Sequence, residues 1–183
     1  MTYIYIVRCR FTDPGREQAW NDWYSGPKIA QMLSQPHFLT CQRFRRSEGT
    51  GRDYLALWTL QSPEALKTPQ YTAQWGFAEW APYITDWSRD LFDGGDRPES
   101  AFAVPPQGAL EVISFDGMGD DDARQSPARN AAMMWLPVIG LDRHTPTIGL
   151  AVRHEVAGAP ALPAADGAQI TVYRPIRGVA VRA

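Results

Sequence analysis

From Thr2 to Phe11 side chains alternate with period two: Tyr3, Tyr5, Val7, Cys9 and Phe11 fall on one face, Ile4, Ile6, Arg8 and Arg10 on the other. That alternation, in β-forming residues, predicts a strand. Asp13-Pro14-Gly15 then offers an N-cap and a proline at the first helical position. From Arg16 to about Leu33, Trp20, Trp23, Tyr24, Met32 and Leu33 recur near helical spacing. Pro27 lacks a backbone donor, so Ser25-Gly26-Pro27 predicts a kink or two short helices, and Pro36 ends the segment. Phe38 to Arg46 reads as a second strand, Glu48-Gly49-Thr50-Gly51 as a turn and Tyr54 to Leu60 as a third strand. Ser62-Pro63-Glu64 opens a second helix to about Phe77, or Trp80 with fraying, and Ile84 to Phe92 is the fourth strand. The order is β-α-β-β-α-β, the ferredoxin-like unit.

The order then returns in weaker form. Ala109 to Phe115 matches the first strand, and Asp120-Asp121-Asp122 opens a helix to about Trp135 that must accommodate Pro127. Leu136 to Arg143, Thr147 to Arg153 and Ala168 to Pro175 match strands two, three and four. Val156 to Gly167 is rich in Ala, Pro and Gly, so the second helix of this copy is expected to be lost or reduced to a loop. The expected fold is α+β: a ferredoxin-like repeat over residues 1–93, a connector over 94–108 and a degenerate repeat over 109–183. A ferredoxin-like sheet carries helices on one face and needs a partner for the other. Two copies in one chain satisfy each other by packing sheet against sheet as an internal pseudo-dimer.

Composition narrows the function. The formal net charge of −2 provides no basic field for nucleic acid. No apolar run approaches the ~20 residues of a membrane helix, and the N-terminal stretch interrupts its apolar residues with arginine, unlike a signal peptide. Two cysteines, Cys9 and Cys41, cannot build a disulfide framework, so a cytoplasmic location is expected. Six of the seven tryptophans precede residue 94, while charge is spread evenly. The halves differ in aromatic content.

The segment W-N-D-W-Y-S-G-P-K-I-A-Q-M-L-S-Q-P-H-F-L-T-C-Q-R-F, Trp20 to Phe44, resembles the first helix and second strand of the dimeric α+β barrel superfamily, closest to its EthD-like and antibiotic-biosynthesis-monooxygenase-like branches. Those proteins tend to carry W-Y-x-x-x-H-[IV]-P-x-[LM]-L followed by a proline and a strand with arginine. The resemblance covers about the first 93 residues. It implies a small hydrophobic or aromatic ligand, no obligatory metal and, in several branches, chemistry without a cofactor. Where relatives often carry histidine this chain has Lys28, so an imidazole's acid–base role does not transfer. A superfold hosts many reactions, so no single one follows.

Lys28 is one of only two lysines, against sixteen arginines. It reads as a pocket cation, a base of lowered pKa or a Schiff-base amine, beside the plainer reading of a solvated helix-surface lysine. His37, the one imidazole of the aromatic-rich half, is either a general acid–base group or a turn residue after Pro36. Trp23, Tyr24, Trp58, Trp75 and Trp87 are candidate ring-binding walls, two or three of the tryptophans lining a pocket and the rest forming core. Arg43 is a candidate anion contact, alongside the plainer reading of Arg8, Arg10, Arg43, Arg45 and Arg46 as a solvated rim or partners of acids such as Asp86 and Asp90. Cys41 reads as buried and inert. His144 and His154 lack a third ligand, so no metal site is expected, and no nucleotide, hydrolase-elbow or zincin motif occurs.

Three functions stay open. The first is a cofactor-independent isomerase, lyase or oxygenase acting on a small aromatic or polyketide-like molecule, with Lys28 and His37 moving protons. The second is a small-ligand binder without turnover. The third is a haem-handling relative, which visible absorption would reveal. The expected partner is a small molecule, with no nucleic acid or membrane and an outer surface left for a homo-oligomer.

Overall fold

A computed structural model of the chain describes residues 1–154 and 167–182. In the first half, β1 (Tyr3–Phe11) is followed by α1 (Glu17–Trp23), a π-helical turn (Tyr24–Lys28) and α2 (Ile29–Leu33), then β2 (Phe38–Gly49) and β3 (Tyr54–Leu60). A 3₁₀ turn (Pro63–Lys67), α3 (Pro69–Gln74), a second 3₁₀ turn (Ala78–Tyr83) and β4 (Ile84–Asp93) complete it. A 3₁₀ turn at Glu99–Phe102 leads to β5 (Ala109–Ser114), α4 (Asp120–Gln125), a 3₁₀ turn (Pro127–Asn130), β6 (Met134–Leu141), β7 (Thr147–Arg153), β8 (Gln169–Pro175) and β9 (Ala180–Val181).

The strands are hydrogen-bonded in the order β3-β1-β4-β6-β7-β5-β8-β2-β9, and β2 also pairs with β3. Eight strands therefore close into an antiparallel ring. Within it the first half reads β2-β3-β1-β4 and the second β6-β7-β5-β8, the same order in each half's own count. The period-two reading of β1 holds in three dimensions. Ile4 and Ile6 face an interior packed with Phe44, Leu55, Leu57, Phe92, Val112 and Leu150, while Tyr5, Val7 and Cys9 face the helices of the first half.

Three local readings change, while the helix around Pro27 divides as expected into two short α-helices, Glu17–Trp23 and Ile29–Leu33, joined by a π-helical turn. A π turn has a looser hydrogen-bond pattern, which accommodates the missing proline donor. The second helix breaks at Thr68, whose extended backbone precedes Pro69 and whose hydroxyl accepts from the Tyr71 amide at 3.1 Å. Strand β2 runs past the turn expected at Glu48 because Glu48 and Gly49 pair with Val172 and Thr171 of β8. In the second half, helix gives way to strand before Trp135, since α4 ends at Gln125 and β6 begins at Met134.

The connector also plugs the barrel: Phe102 and Val104 are buried in its interior, and the Gln42 amide bonds both ways with the Val104 backbone, at 2.8 and 2.9 Å. The loop expected over Val156 to Gly167 lies outside the described residues except for its last glycine. Among the described residues no helix is long and apolar enough to cross a membrane.

Candidate functional site

Between the helices of the first half and its sheet lies a cleft of about 370 Å³, part of it open to solvent. Its floor is sheet: Tyr5 and Val7 of β1, Trp58 of β3, Trp87 and Arg89 of β4. Its other wall is Tyr24, Lys28 and Met32 of the first helical segment, with Tyr71, Trp75, Gly76 and Phe77 from α3 and the turn after it. Strand alternation explains the floor, because residues two apart share a face. β4 also carries an irregularity opposite Arg8 and Arg10, with Asp86 at φ +43°. Arg52 anchors that bulge through the Asp86 carbonyl at 2.6 Å and its carboxylate at 3.0 Å. A bulge re-aims neighbouring side chains, and the adjacent Trp87 stands at the mouth with Trp75, each about two-fifths exposed.

Lys28 projects from the π turn and is only 6% exposed. Its ammonium donates to the Gln74 carbonyl at 2.5 Å. Among the described residues no carboxylate lines the cleft, and burial lowers the Lys28 pKa from 10.5 to about 8. Arg89 lies over Trp75 and Trp87, 4.2 and 5.6 Å from the ring centroids, and binds Asp142 at 3.2 Å. The phenols of Tyr5 and Tyr71 share a hydrogen bond of 3.1 Å, and burial, followed by the facing phenol, holds the Tyr5 pKa well above its ordinary value.

A smaller chamber, about 190 Å³ with the space open to solvent counted in, shares Val7, Tyr24 and Phe77 with the cleft and is otherwise walled by Cys9, Trp20, Arg43, Tyr54, Leu55 and Ala56. Here Arg43 lies over Tyr24 at 4.2 Å and Trp20 at 4.7 Å. Cys41, also on β2, is fully buried, and burial raises its pKa well above the ordinary value.

Of the residues singled out from sequence, Lys28, Tyr24, Trp58, Trp75 and Trp87 line the cleft together. Arg43 lines the chamber behind it. Trp23 is half-buried against Tyr24 and Trp80, outside both linings. His37 occupies the turn before β2 at φ +68°, its carbonyl accepting from the Gln61 amide at 2.9 Å, and it is not among the lining residues. Arg8 and Arg10 pair with Asp90 and Asp86 at the barrel end. Sequence reasoning did not single out Tyr5, Tyr71, Phe77 or Arg89 as site residues. The signal for Arg89 was its place two residues after Trp87 on the same strand.

Haem does not fit this cleft. Among the described residues its lining holds no imidazole or thiolate, the phenols of Tyr5 and Tyr71 are bonded to one another, and burial raises the Tyr24 phenol well above its ordinary pKa, against the phenolate a ligand needs. Among the described residues no cluster of three or more His, Cys, Asp or Glu side chains could hold a metal.

A comparison with protein-family models gives no match, and a comparison with curated proteins gives none. Solved structures do match over nearly the whole chain. An anthrone oxidase-like protein superposes with a TM-score of 0.58 at 11% identity, covering 99% of this chain and 93% of that one. A mutant chlorite dismutase from Candidatus Nitrospira defluvii gives 0.52 at 9% identity, covering 95% and 92%. A protein assigned as a monooxygenase from Lactobacillus acidophilus NCFM gives 0.50 at 10% identity, covering 100% and 97%. The chain shares the α+β barrel fold of these proteins. At such identities the likeness is one of fold alone.

Proposed function

We propose that the chain is a tandem of two ferredoxin-like units forming a pseudo-dimer, and that the cleft on the first unit binds a planar aromatic or polyketide-like molecule and removes a proton from it without a cofactor. The equal strand order of the two halves supports the tandem reading. The helix motif from Trp20 supports an EthD-like or monooxygenase-like ancestry. One observation carries the chemistry: Lys28 is a nearly buried amine on an aromatic wall, its pKa lowered to about 8 by burial. A base is most effective with its pKa near the working pH. Trp58, Trp75 and Trp87 hold the ring and exclude water. Neutral Lys28 takes an acidic C–H or O–H proton, and the anion delocalises over the ring. Reprotonation elsewhere is an isomerisation; reaction with dioxygen is an oxygenation.

The anthrone oxidase-like neighbour suggests anthrone as the probe. Anthrone and one dioxygen give anthraquinone and one water, the ring carbon being oxidised and dioxygen reduced. The protein should accelerate anthraquinone formation in air-saturated buffer, with a rate that rises as pH passes through about 8. Lys28→Arg should abolish the acceleration, since guanidinium does not deprotonate near neutral pH. Equal rates for the two proteins at every pH would remove Lys28 as a base.

A second reading, binding without turnover, is favoured by the Lys28–Gln74 hydrogen bond, which uses the ammonium to tie the first helical segment to α3. It forecasts anthrone binding, read by thermal shift, with no turnover in either protein.

A further inference from the structure

Arg43 is 3% exposed, and among the described residues no carboxylate pairs with it. One terminal nitrogen donates to the Asn21 carbonyl at 3.2 Å and the Ser25 hydroxyl at 2.9 Å. The other, Nη2, is buried without a partner among the described residues. The indole Nε1 of Trp20 is likewise buried and, among the described residues, unpartnered. Both donors belong to residues that wall the smaller chamber.

The groups around Arg43 do not neutralise it. Burial pushes the Cys9 thiol up to about 12 and the Cys41 thiol well above its ordinary value, so neither is a thiolate. Burial raises the Tyr24 phenol as well, and burial with the Glu17 contact raises Tyr54 to about 12. Glu17 itself is engaged by Arg45 at 3.2 Å and by the Tyr54 hydroxyl at 2.6 Å. Ring faces of Tyr24, Trp20 and Tyr54 offset part of the charge. A buried cation with a free donor edge remains, and such an edge matches a carboxylate.

We propose that the chamber is a carboxylate-binding subsite, formed by Arg43 Nη2 and Trp20 Nε1, that receives the acid group of the molecule whose ring lies in the aromatic cleft. The substrate class is then an aromatic carboxylic acid. This assignment of class rests on the reading of the cleft as an aromatic site, while the subsite stands on Arg43 and Trp20. The chamber and the cleft share three wall residues, which makes one molecule spanning both the simplest occupant.

Calorimetric titration of the whole chain with benzoate, benzyl alcohol and formate tests it. Benzoate should bind; benzyl alcohol, which keeps the ring and loses the charge, should bind at least tenfold more weakly. Formate should bind weakly and compete with benzoate. Arg43→Gln should weaken both anions at least tenfold, whereas Lys28→Met should change formate affinity less than threefold. Formate affinity should stay flat from pH 7 to 9, because guanidinium keeps its proton there, whereas a site built on Lys28 would weaken above about pH 8. A melting temperature of Arg43→Gln no lower than that of the parent shows that lost binding is not lost folding. Full anion binding by Arg43→Gln, or a loss that follows Lys28 instead, overturns the subsite. Formate binding with no gain from the benzoate ring upholds the subsite and overturns the aromatic reading of the cleft.

Discussion

The end of the barrel and the helix-covered face of the first half both bury arginine, and they neutralise it differently. At the barrel end Arg8 and Arg52, each with a side chain 4% exposed, converge on Asp116 at 2.9 and 2.6 Å. Arg8 also reaches fully buried Asp90 at 3.4 Å, and Arg52 reaches Asp86 at 3.0 Å and the His144 ring at 2.8 Å. On the helix side Arg43 has ring faces and neutral oxygens in place of a carboxylate. The paired set links strands and loops from both halves, since Arg8 belongs to β1 and Asp116 follows β5. It belongs to the architecture. A buried arginine without an acid adds nothing comparable to folding, and such groups concentrate at functional sites.

The largest test of that contrast is Asp116→Asn. Burial alone would raise the Asp116 pKa, but Arg8 and Arg52 hold it below the ordinary carboxylate value. Removing the charge leaves two buried guanidiniums short of a counter-ion, a change that costs about 3–5 kcal/mol. Denaturant unfolding at pH 7 should show that loss. With the folded pKa below the unfolded one, the Asp116 stabilisation is present above the unfolded value of 3.8 and is lost as pH falls through the folded one. A cost within the ~0.5 kcal/mol of an ordinary surface change would break the distinction between the two regions.

Lys28→Met should act in the opposite direction and by less. Burial disfavours the ammonium, so methionine should stabilise the protein at pH 7, by about 1–2 kcal/mol once the partly solvated cleft is allowed for. The folded pKa of about 8 lies below the unfolded 10.5, so between them the unfolded chain holds a proton that the folded chain has released. Stability of the parent should therefore rise from pH 8 toward 10. Unfolding curves for the variant should lack that rise. A variant less stable than the parent at pH 7 would mean that the Gln74 hydrogen bond outweighs desolvation.

The two regions were unequally legible in the sequence. Alternation in β1 separated the barrel-facing Ile4 and Ile6 from the helix-facing Tyr5 and Val7, because period two is a local property. Local pattern also placed β3 and β7 at their observed ends. What depends on the other half was not readable: β2 continues through Gly49 only because β8 lies alongside it. The Thr68-Pro69 break was present in the sequence as a proline signal inside the single helix read from Ser62 to Phe77. For the cleft, the tryptophan excess before residue 94 pointed to the right half. Tyr71 was missed because its place in the cleft depends on packing against Tyr5 of β1, which no local spacing encodes, whereas Arg89 carried a local signal two residues after Trp87. The absence of a carboxylate beside Arg43 is also invisible in sequence, since acids occur throughout the first half.

The smallest effect is expected inside the paired cluster itself. Asp90 shares Arg8 with Asp116, yet its pKa is raised: burial outweighs the His144 amide at 2.6 Å and the Arg8 guanidinium. As pH climbs above 3.8 the unfolded chain ionises this carboxyl before the folded chain does, so Asp90 lowers stability through that window, opposite in sign to Asp116. Asparagine keeps an oxygen for the His144 amide and removes a charge whose burial is unfavourable, while Arg8 retains Asp116. Asp90→Asn should therefore lie within about 1 kcal/mol of the parent at pH 7, and the decline in stability just above the ordinary carboxylate pKa should flatten. Unfolding measurements from pH 4 to 7 on the parent, Asp90→Asn and Asp116→Asn would separate the two acids. If Asp90→Asn costs as much as Asp116→Asn, the four buried charges act as one unit, and Arg8 depends on both carboxylates rather than on Asp116.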